Sequence, residues 1–262
     1  MASTMSPTLT EAQIVLALRA AGCVFAEDEA ALLVAESASA SQLEERVARR
    51  VAGDPLEVIL GWAEFAGLRI AIDPGVFVPR RRTEYLVRRA LRLATPTSIV
   101  VDLCCGSGAL GAAMAAAMPG IRLYASDIEP AAVACARGNL AGIGDVFEGD
   151  LFDALPADIR GRVDLLLVNA PYVPTEEISG MPAEARDHEP LVTLDGGPDG
   201  LDVHRRIANT APDWLAAGGT LLIEVSRLQA PIAAAIFERA GLSPSVKHSG
   251  KLDATVVLGT RP

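Results

Sequence analysis

The stretch Leu165-Leu166-Leu167-Val168-Asn169-Ala170-Pro171-Tyr172 constrains the fold of this chain most, because an unbroken apolar run stops abruptly at Asn-Ala-Pro-Tyr. A strand wetted on one face alternates apolar with polar, so a run without polar interruption reads as a strand covered on both faces. That is the habit of a parallel sheet between two helix layers. Open sheets of this kind bind ligands just beyond the carboxyl ends of their strands, so Asn169 and Tyr172 are expected at a reaction site. Pro171 has no N–H and pushes the residue before it toward extended backbone, which holds the Ala170 carbonyl in one direction. Asn169 adds a side-chain acceptor and donor, and Tyr172 adds a flat apolar face with a polar tip. Such a set can hold a planar amide or amine nitrogen by its N–H groups; the competing reading is a strand-terminating turn with a packed tyrosine.

Around that run, strand-like and helix-like segments alternate. Strands are expected at Ile99–Leu103, Arg122–Asp127, Val146–Asp150, Val163–Asn169, Thr220–Val225, Ser245–His248 and Thr255–Gly259. Helical stretches separate several of them, which is the rhythm of a doubly wound α/β sheet. Only Ser249–Asp253 lies between the last two strands. A parallel crossover needs about a dozen residues, so the final strand should run antiparallel to its neighbour.

Upstream, the signals are helical. Thr10-Glu11-Ala12-Gln13 is a capping-box pattern ahead of Ile14, Leu18 and Ala21, and Ser41-Gln42-Leu43-Glu44 repeats it ahead of Val47 and Val51. Asp54-Pro55 opens a third helix through Trp62. A short strand at Gly67–Ile72, the turn Asp73-Pro74-Gly75 and the segment Val76-Phe77-Val78 then read as a hairpin, and Thr83 caps a helix to Leu93. The expected division is a helical unit over 1–66, a hairpin connector over 67–82 and an α/β domain over 83–262.

Composition excludes some roles. A formal charge of −10 opposes nucleic-acid binding driven by phosphate neutralisation. The apolar stretch Ala109–Met118 is too short for a bilayer and ends at Pro119-Gly120, so no membrane contact is expected. Arg19 interrupts the apolar stretch from Ile14, which argues against a secretory leader. The four cysteines, Cys23, Cys104, Cys105 and Cys135, lack zinc spacing, so no metal and a reducing, cytoplasmic setting are expected.

The first strand of the α/β domain runs into Asp102-Leu103-Cys104-Cys105-Gly106-Ser107-Gly108-Ala109-Leu110-Gly111, a literal G-x-G-x-x-G, with Asp127 placed to bind ribose hydroxyls. By itself that pattern signals a nucleotide without saying which. Three features favour S-adenosylmethionine over a nicotinamide or flavin nucleotide. Asp102 beside the loop would repel a pyrophosphate, yet it can orient backbone or receive an ammonium. The antiparallel last strand differs from the all-parallel dinucleotide fold. Phe147-Glu148-Gly149-Asp150-Leu151-Phe152 offers an acceptor for an adenine amino group and an apolar wall for its ring.

With these pieces assembled, the chain resembles the protein-(glutamine-N5) methyltransferases, which modify the Gly-Gly-Gln glutamine of peptide-chain release factors. The resemblance runs from about Val51 through Gly53-Asp54-Pro55, Gly61-Trp62-Ala63-Glu64-Phe65, Val78-Pro79-Arg80 and Thr83-Glu84. It continues through Gly106-Ser107-Gly108, Asp127, Asp150, Asn169-Ala170-Pro171-Tyr172, Glu189-Pro190, Gly218-Gly219 and Glu224. It departs where the family carries Asn-Pro-Pro-Tyr, since Ala170 replaces the first proline, and the helical unit before Val51 matches weakly. Alanine keeps the carbonyl and loses a φ restraint of about 0.4–1 kcal/mol.

The resemblance implies a class I methyltransferase fold with a seven-stranded Rossmann-like sheet, S-adenosylmethionine as cofactor and a release factor as protein substrate. The cofactor site it implies comprises Asp102, Cys104, Cys105, Gly106, Ser107, Gly108, Asp127, Ile128, Asp150, Leu151 and Asn169. The implied catalytic set is Asn169, Ala170, Pro171 and Tyr172, with Phe77 as a second wall of the substrate site. An N-methyltransferase acting on a small molecule, a non-catalytic cofactor-binding protein and a nicotinamide oxidoreductase are the competing functions. His188 reads as a loop-ordering residue, Arg80-Arg81-Arg82 as a charge run at a helix start, and Asp195-Gly196-Gly197 with Pro198-Asp199-Gly200 as a loop over the cofactor.

Overall fold

The computed structural model describes residues 9–181, 186 and 188–262. Seven strands form one sheet: β3 (Ile99–Leu103), β4 (Arg122–Asp127), β5 (Gly144–Glu148), β6 (Val163–Val168), β7 (Leu215–Val225), β8 (Ser243–Ser249) and β9 (Ala254–Thr260). Their order is β5-β4-β3-β6-β7-β9-β8, with β3 to β7 parallel and β9 antiparallel to both β7 and β8. The short link before β9 therefore does what its length requires.

The continuous apolar run of β6 follows from its place at the centre. Leu166 and Val168 pack into one apolar cluster with Ile207 and Ala208 of α8 (Asp202–Trp214) and Phe237 of α9 (Ala230–Arg239). Leu165 and Leu167 enter the other cluster, with Leu86 of α5 (Glu84–Ala90), Met114 of α6 (Ala109–Ala117) and Ala136 of α7 (Pro130–Asn139). Both faces of the strand are thus dry. No helix among the described residues is long and apolar enough to cross a membrane.

The amino-terminal part packs separately. Four helices, α1 (Glu11–Ala20), α2 (Ala26–Glu36), α3 (Ala40–Val51) and α4 (Leu56–Leu60), share a core of Ile14, Leu18, Ala26, Ala30, Leu33, Leu43, Val47 and Ile59. The Thr10 capping box forms as expected. The second cap differs. Ser39, not Ser41, accepts from the Gln42 N–H, and Gln42 Oε1 accepts from the Ala38 N–H, so α3 starts two residues earlier than its Ser41-x-x-Glu44 suggests. Helix α2 left little trace in the sequence because it buries two alanines and one leucine, a face with weak contrast.

The hairpin lies upstream of the expected place. Gly61 (φ +79°) stops α4, and Trp62 begins β1 (Trp62–Phe65) instead of ending a helix. That strand pairs with β2 (Leu68–Ala71), Phe65 opposite Leu68, across Ala66 (φ +52°) and Gly67 (φ +78°). Two consecutive positive-φ residues make the tight turn whose twist matches paired strands, whereas Val76–Val78 is not a strand. Other boundaries shift by less. Edge strand β5 begins at Gly144 and ends before Asp150, β7 begins at Leu215, and α5 stops at Ala90 with Thr83 making no side-chain cap.

Gly108 bears on both packing and site. It caps α6 with φ +77°, and a Cβ there would stand 3.1 Å from Leu140 of the loop after α7. Gly108→Ala is expected to lower stability by about 1–3 kcal/mol through combined strain and overpacking, read as a reduced urea midpoint with unchanged slope.

Candidate active site

Strand β3 pairs with β6 so that Leu103 lies opposite Val168. Cys104 and Asn169 consequently leave the sheet side by side. Above them opens a cavity of about 230 Å³, lined by the glycine loop, the ends of β4 and β5, Asn169–Val173, Phe77 and the segment around Val192. All but two of the sequence-predicted site residues line it. The exceptions are Asp102 and Gly108, which lie behind the loop.

Asp102 is fully buried, and its Oδ2 accepts the Gly111 N–H at 2.8 Å. Of the two roles open to it, it takes the backbone-orienting one. Burial pushes its carboxyl up to about 8, the Gly111 N–H opposing and the Asp127 charge reinforcing the rise. Gly108 packs against α7 and the residue after it and does not line the cavity.

The loop itself is held by Asp127. Gly106 N–H donates to Asp127 Oδ2 at 2.8 Å, and Glu129 N–H donates to Oδ1 at 3.0 Å. Burial raises the Asp127 carboxyl while these two N–H groups hold it down. Cys104 (φ +59°) and Leu151 (φ +51°) are non-glycine residues in the left-handed region, and both line the cavity. Strain of that kind costs of order 1–3 kcal/mol and gathers at ligand sites. Asp150 projects from the turn after β5, with its Oδ2 held by Arg206 of α8 at 2.5 Å. Ile128 and Ser107 complete this half.

The other half is built on the strand-end tetrapeptide. Among the described residues, no group donates to Asn169 Oδ1 or to the Ala170 carbonyl, although both residues line the cavity and Ala170 is buried. Tyr172 is fixed at both ends. Its carbonyl accepts from Gln229 Nε2 at 2.8 Å, its hydroxyl accepts from Arg82 at 2.7 Å, and it donates to Glu224 Oε1 at 3.3 Å. Burial, with the Glu224 charge adding and Arg82 opposing, pushes the Tyr172 phenol up to about 12. Phe77 forms a further wall, and the Arg80 guanidinium sits 5.0 Å from its ring while donating to Glu189 Oε1 at 2.5 Å.

The remaining candidates divide between the cavity wall and the rest of the molecule. His188 lies at the surface, its Nδ1 3.9 Å from Asp54 Oδ1, and does not line the cavity. His204 is buried neutral behind Glu224, its Nε2 3.3 Å from that residue's carbonyl, and burial lowers it to about 4. The arginine run divides: Arg80 and Arg82 pair with Glu189 and Glu224, whereas Arg81 lines a shallow cleft elsewhere. The Asp195–Gly200 loop braces the acceptor side instead of covering the cofactor, since a Cβ on Gly200 would stand 2.2 Å from the Tyr172 carbonyl. Gln229, just before α9, and Arg206, on α8, left no signal in the sequence, as isolated polar residues carry no pattern. Glu224 carried a signal of its own, a charge near the carboxyl end of an otherwise apolar strand.

Residues 67–185 match the methyltransferase small domain. The release factor glutamine methyltransferase of Geobacter sulfurreducens is 39% identical over 198 residues, covering 74% of this chain and 69% of that protein. The chain belongs to the release factor glutamine methyltransferase family. Within reach of this methyltransferase lies also the 4-amino-L-phenylalanine/4-methylamino-L-phenylalanine methyltransferase of Streptomyces pristinaespiralis, 37% identical over 203 residues, 74% of this chain and 69% of that protein. A methyltransferase structure from Pyrococcus furiosus shares the fold, with a TM-score of 0.55 at 14% identity over 84% of this chain and 98% of that one.

The raised Asp102 carboxyl makes this methyltransferase's stability pH-dependent in a definite direction. A carboxyl at about 8 when folded and near 3.9 when unfolded binds more protons in the native state between those values, so its contribution is present below the lower value and lost as pH rises toward the upper. Asp102→Asn keeps an acceptor for Gly111 and cannot ionise. The stability of the parent chain relative to Asp102→Asn, from urea melts at a series of pH values, should fall between pH ~4 and ~8; a constant difference would contradict the assignment.

Proposed function

We propose that this chain transfers the methyl group of S-adenosylmethionine to the side-chain amide nitrogen of a glutamine in a protein, a peptide-chain release factor. The observation that carries this reading is the pair of unengaged acceptors, Asn169 Oδ1 and the Ala170 carbonyl, set beside the glycine loop by the β3–β6 pairing. A primary amide nitrogen has two N–H groups in one plane, and two fixed acceptors match it.

The residues present fit the cofactor. Gly106 (φ +54°) leaves open space where a Cβ would stand, so ligand can approach the loop backbone closely. Asp127 has about four lone-pair sites and spends two on backbone N–H groups, which leaves acceptors for a ribose diol. Asp150 with Leu151 offers an acceptor and an apolar contact for the adenine. When bound, S-adenosylmethionine supplies an electrophilic methyl group on a sulfonium.

The chain's own residues supply orientation and polarity. An amide lone pair is delocalised and a poor nucleophile, so the acceptors must hold the nitrogen in line and favour the positive charge that develops on it as the methyl arrives. Carbonyl oxygens do this without titrating. Tyr172 and Phe77 wall the nitrogen from water, and the Tyr172 phenol, pushed up to about 12, stays neutral at physiological pH. The released proton leaves to solvent. The acidic surface suits a basic protein partner better than a nucleic acid.

A second reading shares this geometry. An aromatic amine also presents two N–H groups and a flat ring, the cavity has aromatic walls, and the Streptomyces pristinaespiralis relative bears the name of an aromatic amino acid methyltransferase. Incubation with labelled S-adenosylmethionine and either intact release factors or 4-amino-L-phenylalanine, with the methyl mapped by mass spectrometry, separates the two. Label on the release-factor glutamine is expected; label on the amine alone would replace the first reading with the second. Asn169→Ala should lower kcat by about 10²–10³, the loss seen when one dipole aimed at the reacting centre is removed, with cofactor affinity retained by calorimetric titration. Unchanged turnover would take Asn169 out of the chemistry.

A further inference from the structure

Arg82, Tyr172 and Glu224 come from three distant parts of the chain and meet at one point. Arg82 follows the hairpin, Tyr172 follows β6, and Glu224 ends the neighbouring strand β7 with only 2% of its surface exposed. Arg82 donates through one nitrogen to the Tyr172 hydroxyl at 2.7 Å and through Nε to Glu224 Oε1 at 3.2 Å, while the hydroxyl donates to that same oxygen at 3.3 Å. Burial raises the Glu224 carboxyl, with Thr83 and Arg82 opposing the rise.

This closed triangle is more than an ion pair. A tyrosine hydroxyl lies on the axis about which the ring turns, so a tie there fixes where the ring stands, and its plane through the preference of the phenolic O–H for the plane of the ring. Here the hydroxyl gives its proton to one partner and takes one from another, which fixes the ring's position and favours one ring plane. Gln229 fixes the backbone of the same residue. We propose that Arg82 and Glu224 are positioning residues for methyl transfer, anchoring the Tyr172 hydroxyl so that the ring presents one fixed face to the acceptor nitrogen. The proposal rests on the reading of Tyr172 as a wall of the acceptor subsite.

A double-mutant cycle tests it. Arg82→Met should lower kcat by about tenfold or more, as small misplacements do, with the S-adenosylmethionine KM unchanged. Tyr172→Phe, which keeps the ring and loses the anchor point, should cost a similar factor. In the Tyr172→Phe background, Arg82→Met should cost little further, because Arg82 acts through the hydroxyl that is already gone. Arg82→Lys, which keeps a donor, should recover part of the rate. Equal costs of Arg82→Met in both backgrounds would overturn the proposal.

The cycle runs on whichever acceptor takes label, so failure of glutamine methylation is distinguishable from failure of the anchor. Should neither acceptor take label, the anchor is read directly by ring-carbon NMR of protein with labelled tyrosine, of which the chain has three. The Tyr172 ring signal, assigned by its loss in Tyr172→Phe, should shift and average in Arg82→Met with cofactor product bound. An unchanged signal would likewise overturn the proposal.

Discussion

The parallel pairing of β3 with β6 is the constraint on which the site depends. The first of these strands ends in the glycine loop and the second in Asn169-Ala170-Pro171-Tyr172, and the register that sets Leu103 opposite Val168 fixes how far apart the two ends lie. The sheet order reverses at this pair: β4 and β5 lie on one side, β7, β9 and β8 on the other. A crevice must open where the crossovers diverge to opposite faces, and the glycine loop and the tetrapeptide that line the cavity are its two lips. A one-residue slip between β3 and β6 would exchange the side chains that a strand presents to the two apolar clusters as well as misaligning the lips. Core packing and catalytic alignment are therefore specified by the same contacts.

Charge around the cavity is balanced within the chain. Arg80 meets Glu189, Arg82 meets Glu224 and Arg206 meets Asp150, each pair joining segments that are remote in sequence. Glu189 and Glu224 are buried, and burial raises both carboxyls while the arginines hold them down. Losing one partner of such a pair leaves a charge without compensation in low dielectric, which is costly even where the intact pair contributes little net stability. The pairs thus tie the segment after the hairpin and the segment around Glu189 to the sheet. The cavity keeps neutral dipoles at its centre and spent charges at its rim.

Elements buried on both faces were the most legible in the sequence. The β3 and β6 strands were readable to within a residue because their apolar runs end sharply, and the antiparallel last strand was readable from connection length alone. The hairpin was not. Its turn uses Ala66 in the left-handed region beside Gly67, a pairing that looks weaker than Asp73-Pro74-Gly75 on composition. Helix α2, with alanines on its buried face, had too little contrast to be seen. At the site, residues acting through backbone position or strand-end chemistry were visible, Glu189 and Glu224 among the named motifs, whereas Gln229, Arg206 and the pairing of Arg80 with Glu189 and Arg82 with Glu224 depend on contacts between distant segments that no local pattern encodes.

The two halves of the cavity are specified by different means. On the cofactor side, Asp127 holds two backbone N–H groups, Asp102 holds a third, and Cys104 and Leu151 sit in strained conformations. Backbone held this tightly leaves little latitude in what it binds. The proposed acceptor side presents two carbonyl oxygens and aromatic walls, which match two coplanar N–H groups. Ala170 in place of proline leaves that pattern unchanged, because the carbonyl is common to both residues. A glutamine amide and an aromatic amine both satisfy it, and relatives bearing the names of both activities share about equal identity with this chain. Discrimination between them must therefore come from what surrounds the nitrogen: how rigidly Tyr172 is held, and which surface beyond the cavity receives the rest of the substrate.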